Sequence, residues 1–390
     1  MTNAVMPTYA RLPVTFVKGE GAVLWDATGK EYLDALSGIS VCNVGHARRE
    51  VAEAICAQAN TLLHTSNLYQ IKHQQDLAEK LCALSGLDNV FFGNSGAEAN
   101  EAAIKIARLY GYNKGITTPT VVVMSNSFHG RTMATVTATG NVKAQTGFAP
   151  LVEGFIRVEF GDAEAVAALS NNPSIVAVLV EPVQGEGGIR IPADDYLPRL
   201  RAICDQNDWL LMLDEIQAGM CRTGQWFAFQ HSTIKPDVMT LAKALGNGVP
   251  IGACVAGGKA ATVFGAGNHG STFGGNPLAC RAALAVIDVM ETEQLAARAT
   301  ELGAYFLDQF RSKLADTAGI RDIRGKGLML GIELDKDCTE LVKQALEKGL
   351  LINVTAGNVI RLLPPLTLTQ AQADTIITTV TALVQAFMQA

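Results

Sequence analysis

The sequence predicts an α/β protein, with a large domain on a mostly parallel sheet covered by helices and then a smaller α+β domain. Three observations carry that reading. Nearly uninterrupted apolar runs at 120–124, 175–180, 209–213 and 238–241 have the composition of strands buried on both faces. Helical stretches such as Leu197 to Cys204 lie between them, giving the βαβ rhythm of a parallel sheet. From Leu278 the pattern changes to long helices, an alternating strand, a hairpin and a last helix. A chain of 390 residues also exceeds the length at which single cores stop growing. The expected divisions are an arm with a hairpin over 1–45 that packs with the small domain, a large domain over 46–276 and a small domain over 277–390.

Taken in order, Val23-Leu24-Trp25, a turn around Gly29 and Tyr32-Leu33 read as a hairpin. Val51, Ile55, Ala59 and Leu62 recur at helical spacing, predicting a helix over 47–63, and Leu77, Leu81 and Leu84 predict another over 74–84. Ile251 to Ala256 is a further strand. Beyond it, one helix carries Ala282, Val286, Val289 and Met290, and the next carries Leu295, Leu302, Phe306 and Phe310. Leu328 to Leu334 reads as an alternating strand. Gly357-Asn358 reads as a hairpin turn with Arg361 just after it. Thr369 and Gln372 form a capping box ahead of the stripe Ile376, Val380, Leu383 and Phe387.

Composition narrows the function. Hydrophobic residues make up 48% and charged residues 17%, which favours a well-filled core and buried subunit contacts. A net charge of −6 argues against nucleic acid as a partner. The eight cysteines are scattered without a C-x-x-C, and the six histidines show no H-E-x-x-H, so free thiols are expected and no metal site. Residues 1–16 lack a secretory pattern and no apolar run approaches membrane-spanning length, so the expected location is cytoplasmic, with no membrane partner.

The chemistry-bearing residues stand where strands end. After the strand at 90–93, a helix begins at about Gly96, where free backbone N–H groups suit a phosphate. Gly96 permits close approach and the Ser95 hydroxyl can donate, although the same residues would also serve as an ordinary N-cap. Phe128 and Arg131, just past the next strand, could cover a flat ring and grip a carboxylate, or be a core aromatic beside a solvated cation. Val180 opens into the acidic loop Glu181-Pro-Val-Gln-Gly-Glu186. Asp214 ends a strand where its charge would be desolvated without a cationic partner such as a protonated pyridine nitrogen, or it caps a turn. Lys243 follows the strand at 238–241, its amine aimed at the crevice beyond the sheet. Anion cradle, ring cover, carboxylate and amine together are the set that pyridoxal 5′-phosphate needs.

Seven stretches in order resemble the class III (ω-amino acid) aminotransferases of pyridoxal-phosphate fold type I: 36–46, 64–69, 92–101, Phe128-His-Gly-Arg131-Thr, 181–186, Leu213-Asp-Glu-Ile-Gln217 and Leu241-Ala-Lys243. The resemblance implies that Lys243 holds the cofactor covalently and shuttles the proton, and that Asp214 keeps the pyridine nitrogen protonated. It gives Gln217 the phenolic oxygen, Phe128 and Ile216 the two ring faces, and Ser95, Gly96 and Ala97 the phosphate. Thr272 of the second subunit would join them, implying a homodimer with shared active sites, with Ser271 counted among the substrate contacts. Arg131 would clamp the distal carboxylate and Arg361 the α-carboxylate of glutamate or 2-oxoglutarate, with Glu186 pairing Arg361 while the ω-amine reacts. The implied donor is N2-acetylornithine, with succinyldiaminopimelate as a further substrate. Ornithine, succinylornithine, 4-aminobutyrate or an aminomutase reaction are the alternatives. His46-Ala-Arg-Arg49 stands where the family usually has His-x-His-Pro, and in Met220-Cys221-Arg222 the family's usual Gly before Arg is replaced.

Overall fold

Residues 4–389 are described by a computed structural model. Residues 1–3 and 390, the outer ends of the expected arm and small domain, lie outside them. Strands β1 (Phe16–Glu20), β2 (Val23–Asp26) and β3 (Glu31–Asp34) form an antiparallel meander. The β2–β3 turn is closed by Asp26, whose Oδ1 accepts from the backbone of Thr28 and Lys30 at 2.8 and 3.1 Å.

The large sheet contains β4 (Asn89–Gly93), β5 (Thr120–Met124), β6 (Phe155–Val158), β7 (Ile175–Val180), β8 (Leu210–Asp214), β9 (Val238–Leu241) and β10 (Gly252–Ala256). Their order is β4-β10-β9-β8-β7-β5-β6, and every pairing is parallel except the two made by β10. Alternation along β5, β7 and β8 sends successive side chains to opposite faces. Val122, Val178 and Leu211 join one core, while Val121, Leu179 and Met212 join another under the helix Gly96–Asn113. Burial on both faces is why the stretches 121–124, 175–180 and 210–213 of these strands are apolar.

The last sheet, β11 (Ile320–Lys326), β12 (Met329–Leu334), β14 (Asn353–Thr355) and β15 (Val359–Leu362), is antiparallel in the order β11-β12-β15-β14. The short β13 (Leu350–Leu351) instead leaves this sheet and pairs in parallel with β3. The capping box forms: Gln372 N donates to Thr369 Oγ1 and Thr369 N to Gln372 Oε1.

Two expectations need correction. The helix expected over 47–63 runs only over Arg49–Ala59, because the side chains of Asn60 and Thr61 donate to the carbonyls of Cys56 and Ala57 and end it. The strand expected to alternate at 328–334 is buried on both faces, since Gly331 lies against Ile189 of a loop from the large sheet. β11 was not foreseen. Among the described residues all eight cysteines are free, and no helix is long and apolar enough to cross a membrane.

Candidate active site

A cavity of about 400 Å³ opens beyond the carboxyl ends of the parallel strands, a size suited to a small ligand. Each wall is a loop that follows a strand: Ser95–Ala97 after β4, Phe128–Arg131 after β5, Glu181 after β7, Ile216 and Gln217 after β8, and Lys243 after β9. The helix Gly96–Asn113 starts at the cavity, capped by Ser95 Oγ, which accepts from Glu98 N at 3.2 Å. Glycine at 96 leaves room for Ile216, since a Cβ would lie 2.8 Å from Ile216 Cδ1 and force that side chain to shift. Unsatisfied N–H groups at this helix start make an anion site.

Asp214, 4% exposed, stands on the cavity floor. Its Oδ2 accepts from Asn100 Nδ2 and meets His129 Nδ1, both at 2.8 Å, and its Oδ1 accepts from Ile216 N at 3.1 Å. Asn100 is itself fixed: its Nδ2 also donates to His129 O, and its Oδ1 accepts from Thr240 Oγ1. Glu181 lies nearby, buried, with Oε1 only 3.4 Å from Phe128 N and Oε2 unpartnered. Burial, and then the charge of Asp214, raises its carboxyl well above the usual range.

Lys243 has φ 47° and is half-buried, with its side chain on the cavity. Burial pushes its amine below the usual lysine range, Glu186 opposes that shift and Arg361 reinforces it.

Two arginines meet different conditions. Arg361, 1% exposed, is paired with Glu186 at 2.6 Å, donates to Asn353 Oδ1 at 2.8 Å, and lies 3.4 Å from Gln217 Oε1. Burial alone would raise the Glu186 carboxyl, but the Arg361 guanidinium outweighs it and holds the group below its usual range. Arg131 is exposed at the mouth over the Phe128 ring, 5.7 Å from its centroid, and no ion pair is recorded for it among the described residues. The mouth therefore offers a cation to an incoming carboxylate.

The structure thus brings Ser95, Gly96, Ala97, Phe128, Arg131, Asp214, Ile216, Gln217 and Lys243 around one cavity, with Glu186 and Arg361 adjoining through Gln217. Ser271 and Thr272 do not line it. Ser271 Oγ accepts from Gly274 N at 2.9 Å and Asn94 Nδ2 at 3.2 Å, which fixes a turn, and Thr272 is exposed. Sequence reasoning gave no role to Asn100, Thr240, His129 or, beyond its place in the acidic loop, Glu181. The available signal was spacing: Asn100 lies one helical turn after Gly96, on the face that begins at the cavity.

Arg222 was likewise given no role. Fully buried, it donates to Ser40 Oγ at 3.0 Å, Leu328 O at 3.0 Å and Pro364 O at 2.6 Å, and it also bonds Asn43 Oδ1. It fastens residues 37–40, all at positive φ, a left-handed turn that L-residues resist. The next residue, Val41, lines the cavity.

These residues fit pyridoxal phosphate. The helix start suits its phosphate, Asp214 carries a buried charge open to a ring cation, and the Lys243 amine is on the same cavity. A chain with this fold and site belongs to the pyridoxal-phosphate enzymes. The class-III aminotransferase pattern matches residues 4–384, and the chain belongs to that family. It is 59% identical to the acetylornithine aminotransferase of Nitrosomonas europaea, over 99% of this chain and 98% of that one. It is 49% identical to the enzyme of that name from Methanothermobacter thermautotrophicus, over 95% and 93%. Among solved structures, the ornithine aminotransferase of Toxoplasma gondii superposes with a TM-score of 0.96 at 36% identity, over 99% of this chain and 93% of that one. The acetylornithine aminotransferase of Elizabethkingia anophelis does so at 0.87 and 35%, over 97% and 95%. A second Toxoplasma structure is described with partial occupancy of the cofactor at its active site. The cofactor of this family is pyridoxal phosphate.

Proposed function

We propose that the protein transfers the δ-amino group of N2-acetyl-L-ornithine to 2-oxoglutarate, giving N-acetyl-L-glutamate 5-semialdehyde and L-glutamate. The observation that carries this reading is the asymmetry of the two arginines. An ω-amino donor brings one carboxylate, far from its reacting carbon, and Arg131 at the mouth is unpaired and ready for it. The same donor brings nothing for Arg361, whose buried charge Glu186 already neutralises. Glutamate brings two carboxylates, one for each arginine, once Glu186 yields.

The charge of the lining favours an acylated donor. A free α-ammonium, as in ornithine, would need an acidic partner near Arg131. Among the described residues, the acidic side chains that line the cavity, Glu181 and Asp214, are buried at its floor. Acylation removes that charge, as in the substrate named for the relative at 59% identity.

Bound here, pyridoxal phosphate supplies the electron sink that amino-group transfer needs. Ser95, Gly96 and Ala97 would hold its phosphate, Phe128 and Ile216 would flank the ring, Gln217 would bond the phenolic oxygen and Asp214 would hold the ring nitrogen. Asn100 and His129 orient Asp214. Lys243 would tether the cofactor and, once released, carry the proton from the donor's amine-bearing carbon. Its depressed basicity favours the neutral amine that this requires. Thr272 of a second copy, exposed here, would complete the phosphate site, so the working form is a homodimer. Eight free thiols suit a reducing, cytoplasmic setting.

The test is a donor panel of acetylornithine, succinyldiaminopimelate, succinylornithine, ornithine and 4-aminobutyrate with 2-oxoglutarate. Acetylornithine should exceed ornithine by at least about tenfold in kcat/KM, equivalent to ~1.4 kcal/mol. Equal or better turnover of ornithine or 4-aminobutyrate overturns the assignment.

A further inference from the structure

The loop that presents Glu186 is a closed unit. Gln184 and Arg190 exchange both backbone hydrogen bonds at 3.0 Å, so residues 185–189 form a tip on a fixed base. Within the tip, Gly188 has φ 102° and the next residue, Ile189, has φ 50°. A β-branched side chain at positive φ is strained and persists only where its surroundings hold it. Two things hold it. Ile189 is fully buried against Gly331 of β12. Arg324, on β11, donates from Nη2 to Gly188 O at 2.6 Å and from Nε to Ile189 O at 2.8 Å.

Two successive carbonyls face one guanidinium only because both residues take left-handed backbone. Arg324 is oriented in turn by Asp322 at 2.9 Å and Glu333 at 2.8 Å, and its side chain is 18% exposed. On the other side of the tip, Thr355 Oγ1 of β14 donates to Glu186 O. The loop after β7 is therefore fastened to the same small sheet that carries Arg361.

We propose that Arg324 is a positioning residue for the Glu186–Arg361 pair, clamping the Gly188 and Ile189 carbonyls so that Glu186 changes partner by side-chain rotation alone. This rests on the reading of Glu186 and Arg361 given above. A loop held at its backbone returns the carboxylate to Arg361 after each α-carboxylate leaves. A loosened loop would leave Arg361 open to α-amino acids during the ω-amine half-reaction. Arg324 itself touches no substrate.

The test measures the two half-reactions separately by single-turnover absorbance, with acetylornithine and with glutamate, in holoenzyme carrying Arg324→Gln, Arg324→Lys, Glu186→Gln or Arg324→Gln with Glu186→Gln. Thermal unfolding and amide exchange over 185–190 are followed in parallel. The ratio of acetylornithine to glutamate kcat/KM should fall roughly tenfold in Arg324→Gln, the scale of a lost charge-assisted bond. The lysine variant should fall in between, and exchange at 185–190 should quicken. In the Glu186→Gln background the Arg324→Gln change should leave the ratio within about twofold, because the group it positions is gone. A ratio unmoved by Arg324→Gln, or an equal fall in both backgrounds, overturns the clamp while leaving the gate intact. A ratio unmoved by Glu186→Gln overturns the gate and the clamp with it.

Discussion

Replacing Asn100 by alanine would strike the floor of the site without touching substrate. Asn100 is fully buried and makes three hydrogen bonds of 2.8 Å, to Asp214, to His129 O and from Thr240. Two are ordinary bonds worth about 1 kcal/mol each, and the one to the carboxylate is worth about 1.5–3 kcal/mol. The total of roughly 3–5 kcal/mol is reduced where a water fills the space, so the expected loss is about 2–4 kcal/mol. Thr240→Val removes one of these bonds and should cost only about 1–2 kcal/mol. Urea unfolding of the cofactor-free protein at fixed concentration reads the stability. Absorbance titration reads the dissociation constant for pyridoxal phosphate, which should rise about ten- to a hundredfold as Asp214 loses its orientation. Stability within about 0.5 kcal/mol of wild type with an unchanged dissociation constant would refute the idea that Asn100 sets Asp214.

Three other perturbations read different parts of the molecule. Gly96→Ala places a methyl 2.8 Å from Ile216 Cδ1 and should weaken cofactor binding by the ~1–3 kcal/mol of overpacking, with Ile216→Val restoring part of it in the same titration. Arg131→Ala should lower kcat/KM for acetylornithine and glutamate about ten- to a hundredfold, while a diamine without a carboxylate reacts as before and the unfolding midpoint stays put. His46 lies 2.7 Å from Asp34; burial lowers its pKa, but that carboxylate and Cys42 raise it to about 9. The folded value exceeds the unfolded one, so this pair stabilises fully below about pH 6.5 and is lost as pH rises through about 9, on the order of 3 kcal/mol. In His46→Gln, that part of the alkaline loss measured by urea unfolding should disappear.

The strands that carry the site were legible because burial on both faces leaves a run such as Ile175–Val180 with no polar residue, and that run stops just before Glu181, which meets the cavity. Asn100 was not legible, since a polar residue among alanines in a helix looks solvent-facing until the helix is laid against the sheet. Arg324 reads as one more charge in a polar strand. Only the path of the 184–190 loop shows what it holds. Ser271 was placed with the substrate from resemblance alone, and within its own chain its hydroxyl oxygen accepts from Gly274 N and Asn94 Nδ2. The departure next to His46 falls at Arg48 and Arg49, and Arg48 there pairs with Glu50 and Glu293, while the His46 ring ties to Asp34 of the hairpin.

The parallel union of β3 with β13 has a consequence for biogenesis. Leu33 and Leu350 are partners 317 positions apart, so a ribosome finishes most of the polypeptide before the meander meets its fourth strand. Until then one border of that small sheet has bare amides, a surface that nascent chains of this protein would offer to chaperones or to one another.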